Sequence, residues 1–408
     1  DEVIVPAPYW VSYYEMVRLF GGVPIVVNVS EEQGFQLTPE QLEQAITDKT
    51  KAIILNNPSN PTGAVYPKEA LKAVADVCVK HDLYIISDEI YDKLVYDGVP
   101  FTSVAALSDE IKAHTILING VSKTYAMTGW RIGYALSPAP VAKAMTNYLS
   151  HSTGAPGTMC QCAAIEALSG PQDEAEQMRQ VFEQRRDLIV RRINAMPGVS
   201  CLKPSGAFYV MMNLEQIIGK QIDGQVIGSG DDFAKLLLEK SLVAVVPGSG
   251  FGAPNFVRLS YAISTENIET GMDRLEAFFS KESVQALLHE IGYTDTNLKQ
   301  VLPVFRAHYQ QYLREKKVFP HEMGLLLGYP PEDVKGFIRN QGKNYLYSGY
   351  WKVYDRPHEK IRLFKKYEHS REKLIQLLSY GMRIEEIIAI CSNTEIWQLV
   401  DCDCQYAS

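Results

Sequence analysis

The chain has 408 residues, 46% hydrophobic and 22% charged, values of an ordinary globular protein that exclude extensive disorder. A net charge of −8 and a pI near 5.6 argue against a nucleic-acid binder held by phosphate neutralisation. No run approaches the ~18 apolar residues of a membrane span, no basic-then-apolar start is visible, and the seven thinly spread cysteines read as reduced cytosolic thiols.

The chain opens at Asp1 in a strand-like run, Val3-Ile4-Val5, and reads as one whose beginning is missing. Ala52-Ile53-Ile54-Leu55 predicts a short strand ending in an Asn-Asn-Pro loop. Pro67 to His81 carries apolar residues at Leu71, Val74, Ala75, Cys78 and Val79, a helical period opened by proline. Leu83-Tyr84-Ile85-Ile86 and Thr115-Ile116-Leu117-Ile118 predict two further strands, and Phe256 to Tyr261 alternates like another. Strands alternating with helices imply an α/β fold with a mostly parallel sheet flanked by helices. Ligands of such sheets bind beyond the carboxyl ends of the strands.

Those ends carry unusual polar groups. The first is followed by Asn56-Asn57-Pro58-Ser59-Asn60-Pro61-Thr62-Gly63, a rigid loop able to hold an asparagine, with Asn-Pro bonds that are candidates for cis peptides. The second is followed by Ser87-Asp88-Glu89-Ile90-Tyr91, which places Asp88 at the floor of a cleft; a helical turn there would put Asp88 and Tyr91 on one face. After the third come Ser122 and Lys123, where loss of solvent lowers a lysine pKa as imine formation requires. Arg131 suits a bidentate phosphate contact, and Arg258, opposite in phase to Val257 and Leu259, suits a carboxylate. Singly, these read equally as a turn, a helix cap, a surface lysine and an exposed strand arginine. Together, an imine-forming lysine, an aspartate for a ring nitrogen, Tyr and Asn for a phenolic oxygen and two arginines for two anions describe pyridoxal 5'-phosphate.

Residues 1–281 also resemble the fold-type I, class I/II aminotransferases, in particular the bacterial aspartate aminotransferase branch. The strings that carry the resemblance are Pro8-Tyr9-Trp10-Val11-Ser12-Tyr13, Asn57 to Gly63, Ser87 to Tyr91, Ser122 to Arg131, Pro204-Ser205-Gly206-Ala207-Phe208-Tyr209, Pro247 to Gly252 and Arg258 to Tyr261. The resemblance implies that Trp10 stacks on the cofactor ring, Asn60 and Tyr91 contact its phenolic oxygen, and Asp88 holds the pyridine nitrogen. It implies Lys123 as Schiff-base residue and proton shuttle, Arg131 with Ser122 at the phosphate, and Arg258, with Asn60 and Trp10, at the substrate. Lys123, Asp88 and Tyr91 would then be catalytic. The implied activity is ping-pong transamination between an amino acid, aspartate or another dicarboxylic one, and a 2-oxo acid, in a cytoplasmic homodimer. An upstream segment of the family would complete the phosphate cup. The rival readings are another reaction on the same cofactor, such as β-elimination, and a non-catalytic fragment.

The expected organisation is a cofactor-binding large domain over 1–170, a small domain over 171–281 and a helical domain over 282–408. Residues 1–281 hold 23 Lys and Arg against 32 Asp and Glu, whereas residues 282–408 hold 17 against 16. Val284–Gly292, Leu298–Lys317, Pro331–Ile338, Ile361–Tyr380 and Ile384–Trp397 predict helices. Phe319 to Pro331 together with Ser348 to Tyr354 resembles a bacterial domain family of unknown function, so the chain reads as two incomplete pieces joined near Lys281. His321-Glu322 lacks the second histidine four residues after the first that a zinc helix needs, position 325 being Leu, so no metal is expected. Cys402-Asp403-Cys404, without a second cysteine pair, reads as a frayed tail.

Overall fold

The computed structural model describes residues 1–222, 225–294, 298–315, 319–379 and 382–383. Its backbone forms two compact units, 1–279 and 280–408. The helix expected over Ile384–Trp397 and the Cys402–Cys404 tail lie outside the described residues.

Unit 1 is built on a six-stranded sheet of order β2-β1-β3-β4-β5-β6. Its strands are β1 (Glu2–Ala7), β2 (Val23–Asn28), β3 (Thr50–Asn56), β4 (Tyr84–Asp88), β5 (Thr115–Gly120) and β6 (Gly133–Leu136). The first five run parallel and β6 pairs antiparallel with β5. The helices between them are α1 (Val11–Leu19), α2 (Pro39–Ala45), α3 (Lys68–Lys80) and α4 (Asp109–His114). Two of the starts are capped by side chains. Thr38 and Gln41 close a capping box on α2, and Ser108 accepts from the Ile111 N–H to open α4. Helix α3 buries Leu71, Val74, Ala75, Val77 and Cys78. This is the expected stripe, except that Val77 rather than Val79 is its fully buried edge. With Leu42 of α2 and Ile53, Leu55 and Ile85 of the strands, that stripe forms one continuous core.

Helices α5 (Ala139–Ser152), α6 (Thr158–Ser169) and α7 (Asp173–Ala195) follow. The chain then forms β7 (Tyr209–Asn213), the short pair β8 (Gln221–Ile222) and β9 (Gln225–Val226), α8 (Gly230–Ser241), β10 (Val246–Pro247) and β11 (Phe256–Ser260). A second, antiparallel sheet has the order β10-β11-β7. It packs with α7 and α8 into the largest core cluster among the described residues, which includes Ile189, Ile193, Met212, Phe233 and Val257.

Helix α9 runs Thr265–Glu290 without interruption. The helix expected from Val284 is thus part of one that begins at Thr265 and crosses the composition change near Lys281. Unit 2 adds α10 (Leu298–Glu315), α11 (Met323–Leu326), α12 (Pro331–Arg339) and α13 (Pro357–Ser379). It also contains a two-strand ladder that the helical reading missed, β12 (Tyr347–Ser348) with β13 (Lys352–Val353). Among the described residues, no helix is long and apolar enough to cross a membrane.

Candidate active site

Four neighbouring parallel strands, β1, β3, β4 and β5, deliver polar residues to the same edge of the sheet. Trp10 follows β1 and caps α1, Asn60 follows β3, Asp88 ends β4, and Ser122 and Lys123 follow β5. Register brings Asn56 opposite Asp88 and Asp88 opposite Ile118. Arg131 comes from the turn before β6 and Arg258 from β11 in the second sheet. Trp10, Asn60, Asp88, Tyr91, Ser122, Lys123, Arg131 and Arg258 all line one cavity of about 570 Å³.

The loop after β3 is held by its own side chains. The Asn56 Oδ1 accepts from the Asn60 N–H at 2.6 Å, and Asn56 Nδ2 donates to the Asp88 carbonyl at 3.0 Å. Both the Asn57–Pro58 and Asn60–Pro61 bonds are cis. Gly63, at φ +69°, lets the loop approach the segment before β7: a Cβ there would lie 2.5 Å from Pro204 Cβ and 2.8 Å from the Gly206 carbonyl oxygen. The approach carries Asn60 to the second sheet, where its Oδ1 accepts from an Arg258 Nη at 2.8 Å.

No helix follows Asp88. Residues 90–93 form turns, and Asp88 Oδ1 accepts the Ile90 N–H at 3.2 Å as an Asx-turn. The helix-cap alternative for Asp88 therefore does not apply. Its Oδ2 accepts from the Tyr13 hydroxyl at 2.5 Å. Burial raises the Asp88 pKa, opposed by that hydrogen bond, the Ile90 N–H and the Lys123 charge. No ion pair to Asp88 forms among the described residues. The neighbouring Glu89 faces away, accepting from Ser87, Ser103 and the Val104 N–H at 2.9–3.0 Å.

Burial lowers the Lys123 pKa, and the Arg131 and Arg258 charges lower it further against the opposing pull of Asp88. Arg131 is exposed, has left-handed backbone at φ +55°, and spends one Nη on the Thr128 carbonyl at 3.0 Å. Such strained backbone clusters at ligand sites. Arg258 lies 4.3 Å from the Tyr209 ring centroid and 4.8 Å from that of Phe251. Its Nε is buried without a hydrogen-bond partner. Tyr91 is buried, shares a hydrogen bond of 3.1 Å with the Tyr209 hydroxyl, and has its pKa raised chiefly by burial.

Sequence reasoning missed Tyr13 and Tyr209, which also line the cavity. Both stand inside strings singled out above, but their partners lie 75 and 118 positions away, so local spacing carried no sign of the contacts.

Residues 1–275 match the family Aminotransferase class I and II, and residues 271–388 match the family Protein of unknown function (DUF3793). The aspartate aminotransferase of Geobacillus stearothermophilus is 54% identical over 278 residues, which make up 68% of this chain and 70% of that one. The chain belongs to the class I and II aminotransferases. Among solved structures, the aspartate aminotransferase of Rhizobium meliloti superposes with a TM-score of 0.67 at 42% identity, covering 68% of this chain and 70% of its own. That of Thermus thermophilus with maleate superposes with a TM-score of 0.63 at 46% identity, with the same coverage. Aminotransferases of this family work with pyridoxal 5'-phosphate, and the donor set around the cavity fits it. A buried carboxylate without an ion pair suits a protonated ring nitrogen, a lysine with a lowered pKa suits an aldehyde, and an exposed guanidinium suits a phosphate.

Proposed function

We propose that this chain holds pyridoxal 5'-phosphate in the cavity and transfers the amino group of aspartate, or another dicarboxylic amino acid, to a 2-oxo acid. When bound, the cofactor supplies an aldehyde that takes up the amino group and a ring that accepts the electron pair released at the substrate α-carbon. Residues 1–170 seat the cofactor, and residues 171–281 supply the grip on the substrate as a small domain.

Each side chain then has a task consistent with its surroundings. Lys123, with its ammonium destabilised, supplies a neutral amine as nucleophile and then as the base that moves the α-proton. Asp88, already costly to keep charged by burial, gains its cation from the ring nitrogen and keeps that nitrogen protonated. Tyr13 orients the Asp88 carboxylate. Arg131 and the Ser122 hydroxyl meet the phosphate, and Trp10 presents its ring to the cofactor face. Asn60 has its Oδ1 engaged by Arg258, which leaves its Nδ2 to donate to the phenolic oxygen beside Tyr91. Arg258 grips the substrate α-carboxylate, for which its buried, partnerless Nε is the available donor. The dicarboxylate preference is supported by the likeness to aspartate aminotransferases, one of them solved with maleate, a dicarboxylate.

The observation that carries this reading is the convergence of eight chemically matched residues on one cavity. The deciding experiment adds pyridoxal phosphate to the purified chain, desalts it and records the visible absorbance. A retained band that Lys123→Ala abolishes, with amino transfer from aspartate to 2-oxoglutarate, is expected. No retained band would overturn the reading, and pyruvate and ammonia release without transfer would point to β-elimination. We further propose a cytoplasmic homodimer. In support, Leu149 on α5 and Met159, Ile165 and Leu168 on α6 expose apolar surface, and Cys78, Cys160, Cys162 and Cys201 are unpaired. Light scattering at twice the chain mass is the expected result.

A further inference from the structure

Unit 2 contains a cavity of about 420 Å³ that the aminotransferase chemistry does not use. That volume lies within the range of small-molecule sites. Helix α12 contributes Phe337, the turn before it Tyr329, and the β12–β13 hairpin contributes Tyr350, Trp351 and Lys352. The walls are therefore aromatic. Tyr329 stacks on Trp351 with centroids 4.9 Å apart and planes at 28°. Trp351 is buried, whereas Tyr350 is 41% exposed at the rim.

The wall is built around a buried carboxylate. Asp333 accepts from Trp351 Nε1 at 2.7 Å and from the N–H groups of Tyr354 and Asp355 at 2.7 and 3.2 Å. Three neutral donors occupy the carboxylate and fix the indole; Asp333 lines the cavity but is only 2% exposed. Lys352 is in the opposite condition. Its ammonium donates to the Gly342 carbonyl at 2.6 Å and lies 4.8 Å from the Tyr345 centroid and 5.7 Å from that of Phe337. No carboxylate among the described residues pairs with it. An ammonium has three donors, and only one is committed. His321, which also lines the cavity, has its pKa lowered by burial against the opposing charge of Glu322, so its surroundings disfavour a second cation there. Aromatic walls with an ammonium whose donors are largely uncommitted, beside a carboxylate whose acceptors are already taken, match a flat ring bearing a negative group.

We propose that this cavity is a binding site for a small planar aromatic carboxylate, its ring against Trp351 and Phe337 and its carboxylate on Lys352. The site is independent of the cavity that holds Lys123, so the two readings stand or fall separately.

The test titrates the full chain by calorimetry with three probes of one shape and different charge: 2-naphthoate, 2-naphthamide and 2-naphthylmethylamine. Naphthoate should bind, the neutral amide at least ~10-fold more weakly, and the cationic amine not measurably. Lys352→Met should bring the acid down to the level of the amide, Lys352→Arg should keep the preference, and Arg258→Gln should leave it unchanged. Equal binding of acid and amide by the unmodified chain, or no binding of any probe, overturns the proposal. So does a preference that Arg258→Gln removes and Lys352→Met does not. Should Lys352→Met fail to fold, Lys352→Gln carries the same comparison, and the probe series on the unmodified chain can still overturn the proposal.

Discussion

Lys123 shows how surroundings turn a common side chain into a reagent. Burial and the charges of Arg131 and Arg258 all favour its neutral form, and only Asp88 opposes them. A lowered pKa means that the reactive amine accumulates at lower pH. The rate at which the chain acquires its visible band should therefore rise with pH through a midpoint below the ~10.4 of an ordinary lysine. Arg258→Met removes one repelling charge and should move that midpoint upward, as stopped-flow absorbance across a pH series would show. The same residue separates cofactor seating from substrate grip. Arg258→Ala should keep the band yet raise KM for the amino acid at least ~10-fold, because its buried Nε and remaining donors are what a carboxylate meets.

At the scale of elements, the site depends on loops held at the ends of rigid strands. Gly63 permits one such close approach, so Gly63→Ala should cost at least about 1 kcal/mol in urea unfolding, since both its positive φ and the Pro204 contact oppose a Cβ. Tyr13 on α1 reaches Asp88 at the end of β4, and Tyr13→Phe should lower kcat more than it changes KM, by leaving the carboxylate one donor short. These elements were unequally legible in the sequence. The loop with Asn60, the Asp88 strand end and Lys123 stood out because short apolar runs stop at polar residues with turn chemistry. Arg258 could be placed by the phase of a two-residue period. Tyr13 and Tyr209 could not, since their hydroxyls matter only through partners brought near by the sheet. In the sequence, a helical turn is one option after Asp88 because Asp88 and Tyr91 have helical spacing, whereas a local Asx-turn satisfies the same backbone. The β12–β13 ladder is two residues per strand, too short for alternation to register.

Across the whole molecule, two separate sets of buried side chains hold two units. Unit 1 holds the cluster of Ile53, Leu71 and Val74 and a second one around Phe233 and Val257, and unit 2 holds Leu287, Leu288, Val301 and Val334. Separate cores predict separate unfolding. Differential scanning calorimetry of the full chain should show two transitions, and pyridoxal phosphate should raise only one of them, because a ligand stabilises the unit that binds it. A single transition shifted as a whole would show the two cores to be one cooperative block. The bond from Arg258 to Asn60 has a consequence for anyone wishing to redesign the acid this enzyme accepts. On the reading proposed above, the guanidinium that would meet the incoming substrate is also the anchor of a residue that would face the cofactor. Exchanging that arginine for another recognition group would free the Asn60 side chain it holds even where the cofactor is retained, so new specificity is better sought around the rim, where a side chain can be traded without disturbing its neighbours.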